Sequence, residues 1–152
     1  MEPFNTFVLI SCSKKKISYP APAKILYDSP LFKNSRSYAE AITDSWFVLS
    51  AKYGLLLPDE MVEPYDLALW DLSNEEKLLW VRKVLDAIVK NIPIGSRIII
   101  LAGKKYVELI LNDLLSFGFN IETPLSKIIG IGNRISWLKN SLPNKKTHGH
   151  FF

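Results

Sequence analysis

The sequence is poor in residues that form disulfides and bind metals. It has a single cysteine, Cys12, and two histidines, His148 and His150, close to its end. One cysteine excludes a disulfide framework and a multi-cysteine zinc site, and it favours a reducing, cytoplasmic location. A histidine pair at a chain end is more typical of a frayed terminus than of a metal site. We therefore expect no metal and no other cofactor.

Long apolar runs are also absent. No stretch of about 18 apolar residues occurs, which is the length needed to span a membrane. The first ten residues have neither a basic leader nor a long apolar core. We therefore expect no membrane association and no secretion. With 152 residues, 48% hydrophobic and 22% charged, the composition excludes a disordered chain and predicts a single domain over residues 1–152.

Charge is distributed unevenly along the chain. The net charge is +4 overall, made up of +3 over residues 1–54, −4 over residues 55–96 and +5 over residues 97–152. A net charge of this size is weak support for an anionic partner, because the position of the basic residues on the fold decides what they bind.

Apolar patterning predicts alternating strands and helices. Continuous apolar runs mark strands at residues 7–10, 46–50, 97–101 and 119–121. Apolar residues at helical spacing mark helices at residues 30–42, 73–92, 103–118 and 133–142. Residues 57–72 contain two prolines and are predicted to form a long ordered loop. This alternation predicts a three-layer α/β/α sandwich with a mostly parallel sheet of about four strands.

This assignment of strands and helices predicts which apolar side chains are buried. The helix over residues 73–92 is predicted to present one apolar face, which comprises Leu78, Val81, Leu85, Ile88 and Val89. The predicted core includes Trp46, Leu49, Leu85, Ile99, Ile100, Ile110 and Leu114. Gly118 is expected to end the third helix in the left-handed conformation.

The carboxyl ends of the predicted strands carry polar and basic residues. In an open parallel sheet, ligands bind outside these ends. Lysine ammonium groups, hydroxyls and backbone N–H groups suit phosphate, although lysines also gather in the solvated loops of any protein. The candidate phosphate-binding residues are Ser11, Cys12, Ser13, Lys14, Lys15, Ser50, Lys52, Tyr53, Gly103 and Lys104. We expect Ser11, Ser13, Ser50, Lys52 and Gly103 to line one crevice.

The predicted long loop adds aromatic and acidic candidates. Tyr65 is suited to stacking on a base, and Asp66 or Asp59 to positioning water or stabilising a developing cation. Alternatively, Tyr65 packs in the core and Asp66 caps a turn. Cys12 is either a nucleophile activated by its basic neighbours or a small residue packed in a tight turn. The second role is favoured because no histidine precedes His148.

Six sequence elements carry a resemblance to a known family. They are Ser-Cys-Ser-Lys-Lys-Lys at residues 11–16, Leu-Tyr-Asp-Ser-Pro-Leu-Phe at 26–32, Ser-Ala-Lys-Tyr-Gly-Leu at 50–55, Pro-Tyr-Asp at 64–66, Leu-Ala-Gly at 101–103 with Tyr106, and Pro124-Leu followed by Gly130-Ile-Gly132 and Trp137-Leu138. Their order resembles a largely uncharacterised bacterial, archaeal and phage domain family that is similar to the peroxide-stress protein YaaA.

The resemblance implies a fold similar to the uracil-DNA glycosylase superfamily. Related domains accompany proteins that handle deazaguanine-modified nucleic acid. The superfamily uses an acidic residue in a loop after a strand and a sheet edge that grips phosphates. Here Ser-Cys-Ser-Lys stands in place of a Gly-Gln-Asp-Pro-Tyr motif, and no His-Pro-Ser element occurs.

Three functions are consistent with these residues. The first is a nucleic-acid- or nucleotide-processing domain that hydrolyses an N-glycosidic bond, with Lys14, Lys15, Lys52 and Lys104 on phosphates and Asp66 or Asp59 at the sugar. Tyr65 or Tyr53 would stack the base. The second is a non-catalytic nucleic-acid-binding module that uses the same basic edge, and the third is a nucleotide or phosphate sensor. The sequence leaves the substrate and the oligomeric state open.

Overall fold

A five-stranded sheet forms the centre of the structure, which is a computed structural model that describes residues 5–143. The elements follow in chain order as β1 (Thr6–Ser11), β2 (Ala21–Pro22), α1 (Ala23–Leu26), α2 (Pro30–Ile42), β3 (Trp46–Ser50), β4 (Gly54–Leu56), β5 (Met61–Val62), a 3-10 helix (Leu69–Asp71), α3 (Asn74–Asn91), β6 (Arg97–Leu101), α4 (Lys104–Ser116), β7 (Asn120–Glu122) and α5 (Ile131–Asn140).

The strand order in the central sheet is β4-β3-β1-β6-β7. All neighbours are parallel except β4, which runs antiparallel to β3. The predicted three-layer α/β/α sandwich is therefore confirmed, with five strands instead of about four. The extra strand was missed because β4 is only three residues long and follows β3 through a tight turn, so the apolar run appears simply to break at residues 52–54.

Part of the predicted loop over residues 57–72 is held by pairing with a distant segment. Met61 lies opposite Pro22 and Val62 opposite Ala21 in a two-residue antiparallel ladder, and residues 69–71 form the 3-10 helix. Backbone hydrogen bonds from Ala23 and Lys24 to the carbonyls of residues 60 and 58 extend this contact. The loop is thus anchored beside the segment that follows β1.

The core lies on both faces of the sheet because successive strand residues point to opposite sides. One face packs against α3 and α4 through Phe7, Leu9, Phe47, Leu49, Ile98 and Ile100. The other packs against α2 and α5 through Val8, Ile10, Trp46, Val48, Ile99 and Leu101. Of the predicted core residues, Trp46, Leu49, Ile99, Ile100, Ile110 and Leu114 are buried.

The buried face of α3 shares Ile88 with the predicted apolar face and is otherwise a different stripe. Trp80, Val84 and Ile88 are buried, whereas Leu78 is 70% exposed and Leu85 is half-buried. Both stripes have helical spacing, so the pattern alone does not choose between them. The packing of α3 on the sheet selects one stripe. The Trp80 indole Nε1 donates a hydrogen bond of 2.9 Å to the Ser50 carbonyl at the end of β3.

The predicted helix ends agree with the structure where local chemistry determines them. Ser73 and Glu76 form the expected capping box before α3. Gly118, which follows α4, has a φ of 102°, the conformation for which glycine is favoured. No helix of residues 5–143 has the length and apolar character needed to cross a membrane.

Candidate functional site

The chain leaves β1 through a tightly hydrogen-bonded turn. The Cys12 N–H donates to the Leu49 carbonyl at 2.9 Å, so the turn begins against the end of β3. The Ser13 hydroxyl donates to the Lys15 carbonyl at 2.8 Å, and the Lys16 ammonium donates to the Lys14 carbonyl at 3.0 Å. These bonds fix the backbone while the side chains of Lys14 and Lys15 remain exposed.

Two cavities meet at Lys14 and Lys15. We call the first the wide cavity; it has a volume of about 750 Å³ and is also lined by Lys16, Tyr65 and Asp66. We call the second the narrow cavity; it has a volume of about 380 Å³ and shares Lys14 and Lys15. Its other lining residues include Ser11, Cys12, Ser13, Ser35, Trp70, Ile131 and Arg134.

A network of hydrogen-bonded hydroxyl groups includes Tyr65, which lines the wide cavity. The Tyr65 hydroxyl lies 2.7 Å from the Tyr27 hydroxyl and 2.7 Å from Ser50 Oγ. Ser50 is fully buried at the end of β3, and its Oγ accepts the backbone N–H groups of Lys52 and Tyr53. The network ties the turn after β3 to the loop that carries Asp66.

The aromatic rings at this site are already engaged. The Lys16 ammonium lies 4.2 Å from the centroid of the Tyr65 ring and 5.7 Å from that of Tyr27. Tyr65 also contacts Tyr53 edge-on, with ring centroids 5.5 Å apart. The Tyr65 ring is therefore packed against Tyr53 and partly covered by a cation.

Burial changes the protonation behaviour of this cluster. It raises the pKa of Tyr27 to about 12 and the pKa of Tyr65 well above the usual tyrosine range. Both phenols therefore keep their protons at a more alkaline pH than an exposed tyrosine does. Burial lowers the pKa of Lys16, and the nearby Cys12 and Asp66 oppose that change.

The residues predicted to share one crevice lie along one edge of the sheet but not in one cavity. Ser11 and Ser13 line the narrow cavity, and Gly103 lies next to its Arg134. Ser50 is buried and lines neither cavity, but its hydroxyl lies 2.7 Å from that of Tyr65, which lines the wide cavity. Lys52 is exposed on the same side, with its ammonium 5.9 Å from the Tyr65 ring centroid and 5.4 Å from that of Tyr53.

Three other candidates lie elsewhere or have structural contacts. Asp59 is 82% exposed and pairs with Lys24 at 2.5 Å, and it lines neither cavity. Lys104 also lines neither cavity, and its ammonium lies 3.8 Å from Glu108. Cys12 Sγ lies 3.3 Å from the Tyr106 hydroxyl and packs against both halves of the core, as expected for a small residue in a tight turn.

No metal site is found among residues 5–143, where no three histidine, cysteine or acidic side chains cluster. His148 and His150 lie outside the described residues.

Trp70 and Arg134 are the residues of this edge that the sequence analysis missed. Trp70 is 58% exposed, which is unusual for tryptophan, and Arg134 lines the same narrow cavity from the first turn of α5. The sequence contains one indication that Trp70 is exposed, because no periodic apolar pattern around it predicts burial. The sequence contains no such indication for Arg134, because its position near the end of β1 depends on how α5 packs.

The known proteins that this chain resembles are themselves uncharacterised. A protein described as "Uncharacterized protein YfjM" from Bacillus subtilis (strain 168) is 31% identical over 144 residues, which cover 90% of this chain and 95% of that protein. The family described as "Family of unknown function (DUF6884)" matches residues 7–140. This chain belongs to the DUF6884 family.

Proposed function

We propose that this edge of the sheet binds a nucleotide or a single strand of nucleic acid and hydrolyses an N-glycosidic bond in it. The observation that carries the proposal is that Lys14 and Lys15 line both cavities while Asp66 lines the wide one. A phosphate held by these lysines would place the adjoining sugar and base within the cavities on either side.

The lysines are available to an anionic ligand. Among residues 5–143, Lys14, Lys15 and Lys52 take part in none of the ion pairs. All three are exposed, so binding a phosphate breaks no ion pair within residues 5–143. Each phosphate neutralised releases counterions, which makes the affinity fall as salt rises.

Asp66 is the candidate for the chemical step. Within the described part of the chain its carboxylate has no hydrogen-bond or ion-pair partner, and it faces the same cavity as Lys16. A carboxylate in this position would orient a water molecule or stabilise the positive charge that develops on the sugar as the bond to the base breaks. Single strands, modified bases or free nucleotides are the preferred substrates, because removing a base from a duplex costs a few kcal/mol.

Binding without catalysis is the second candidate function. It is favoured by the exposure of Asp66, since a carboxylate in water stabilises a nearby positive charge far less than a shielded one does. In this case the carboxylate would only repel the phosphates of the ligand.

Parallel measurements of base release and affinity separate the two functions. Wild type, Asp66→Asn and the control Asp59→Asn are incubated with modified nucleosides, nucleotides and oligonucleotides, and mass spectrometry detects any released base. We expect release by wild type and Asp59→Asn and its loss in Asp66→Asn. Absent release, or equal release by Asp66→Asn, overturns the catalytic proposal. Unchanged or increased affinity in Asp66→Asn without any release supports the binding module.

The proposal includes two expectations from the sequence. The first is the resemblance to YaaA and to the uracil-DNA glycosylase superfamily, in which a sheet edge grips phosphates. The second is a cytoplasmic location, which the single cysteine favours.

A further inference from the structure

We propose that the narrow cavity holds one nucleotide unit, with its base against Trp70 and its phosphate on Arg134. For the class of ligand this inference rests on the proposed function, but it requires no chemistry at Asp66. Both residues line the narrow cavity.

The cavity has the size and the walls of a site for a small planar ligand. Its volume of about 380 Å³ lies in the range of small-molecule sites, which runs from about 300 to 1,000 Å³. Trp70 is 58% exposed and Ile131 is 63% exposed, so two large apolar side chains face solvent at its rim. The Lys105 ammonium lies 5.4 Å from the centroid of the Trp70 ring. A nucleobase stacked on the indole would cover part of the apolar surface that this cation leaves exposed.

Arg134 is held so that its terminal nitrogens are free to bind. Its Nε donates a hydrogen bond of 2.9 Å to the Ile128 carbonyl, which fixes the plane of the guanidinium. Both terminal nitrogens lie beside Gly103, where a Cβ atom would be 3.2 Å from one and 3.6 Å from the other. Arg134 takes part in no ion pair among residues 5–143. A fixed guanidinium with two free N–H-bearing nitrogens matches the geometry of phosphate oxygens.

Ser35 contributes a hydroxyl to the wall of the narrow cavity. The residue is only 3% exposed and lines the cavity from α2. Its hydroxyl takes part in none of the side-chain hydrogen bonds of residues 5–143. A polar ligand atom in the cavity would find a hydrogen-bond partner in this hydroxyl.

Three probes distinguish a nucleotide site from a simple anion site. Binding of nucleoside monophosphates, of the matching nucleosides and of inorganic phosphate is measured by titration calorimetry. We expect saturable binding of monophosphates, weaker binding of nucleosides and the weakest binding of phosphate. Affinity for inorganic phosphate equal to that for the best monophosphate would overturn the role of Trp70.

Variants then test each wall of the cavity. Arg134→Gln should weaken monophosphate binding by about tenfold or more and leave nucleoside binding nearly unchanged, because a hydrogen bond to a charged group is lost. Trp70→Leu should weaken both ligands by about fivefold or more, because stacking is lost. The matched controls are Lys139→Gln, an exposed cation on the same helix, and Ile129→Ala, an exposed apolar residue outside the cavity.

Ser35→Ala keeps the test informative if Arg134→Gln fails to fold. Removing a hydroxyl that takes part in no side-chain hydrogen bond of residues 5–143 should leave the free energy of unfolding nearly unchanged, while monophosphate affinity falls. Unchanged affinity in Ser35→Ala and Trp70→Leu, or equal weakening by Arg134→Gln and Lys139→Gln, would overturn the inference. Binding without base release would refute only the catalytic proposal, whereas base release without binding in this cavity would refute only the nucleotide site.

Discussion

Ser50 Oγ lies 2.7 Å from the Tyr65 hydroxyl and joins the end of a buried strand to the loop that carries Asp66. Because Ser50 Oγ also accepts two backbone N–H groups, its own proton is donated to Tyr65. The bond between Tyr65 and Tyr27 then uses one of the two phenolic protons.

Replacing Ser50 should destabilise the fold. Ser50→Ala leaves the backbone N–H groups of Lys52 and Tyr53 without their acceptor, at a cost of about 1–3 kcal/mol for each buried group that finds no other partner. Ser96→Ala is the matched control, because Ser96 is equally buried and its hydroxyl has no partner. The free energy of unfolding from urea titration should fall for Ser50→Ala and stay unchanged or rise for Ser96→Ala. Equal effects would mean that the hydroxyl network contributes nothing.

Alkaline pH should destabilise the protein through Tyr27. Burial raises the pKa of Tyr27 from 10.0 to about 12, so the folded state holds the phenolic proton more tightly than the unfolded chain does. This contribution to stability is complete below pH 10 and is lost as the pH rises to 12, by roughly 1–3 kcal/mol. Tyr65 and Tyr106 change in the same direction. Tyr27→Phe should reduce this alkaline loss in urea titrations, whereas Tyr19→Phe, at an exposed tyrosine, should retain the wild-type profile.

Lys52 should contribute to binding and not to stability. Lys52→Ala should weaken the binding of a nucleotide or oligonucleotide by roughly 1–3 kcal/mol, the contribution of a hydrogen bond to a charged group. Lys52→Arg should restore part of this, because a planar guanidinium and a compact ammonium fill a site differently. Pairing of Lys52 with Asp59 or Asp66, the structural alternative, is not observed among residues 5–143, where Asp59 pairs with Lys24. The Tm of Lys52→Ala should therefore match that of wild type.

Lys24→Ala is the control for this prediction, because it removes a lysine that is already paired. Its nucleotide affinity should equal that of wild type. Unchanged affinity in Lys52→Ala would remove Lys52 from the proposed site.

A methyl group at residue 103 should disturb Arg134 without disturbing the fold. Gly103 has a φ of −72°, which any residue adopts, but a Cβ atom there would lie 3.2 Å from a terminal nitrogen of Arg134. Gly103→Ala should therefore displace the guanidinium and lower monophosphate affinity while the Tm remains close to that of wild type. Gly132→Ala is the control, because its added methyl group meets no atom within 4 Å. It should raise stability by about 0.5–1 kcal/mol through helix propensity and leave binding unchanged.

Local chemistry accounts for the parts of the fold that could be predicted. The apolar runs of β1, β3 and β6 and the spacing in α4 depend only on neighbouring residues, as do the Ser73 cap and the Gly118 helix end. The short strand β4 and the ladder between β2 and β5 could not be predicted, because two or three residues carry too little pattern and their partners are distant. The buried face of α3 was also beyond the sequence, since the contact of Trp80 with Ser50 selects one of two similar stripes.

By itself, the sequence determined the layered α/β architecture, the basic turn after β1 and the position of Asp66 in a long loop, because apolar periodicity and turn chemistry act between near neighbours. Tertiary structure alone decided that Lys14 and Lys15 lie between two cavities, that Lys16 covers Tyr65 and that Trp70 and Arg134 both line one of those cavities. These contacts join residues far apart in the chain. Their distances follow from how α5 and the long loop pack on the sheet, and no local pattern records that packing.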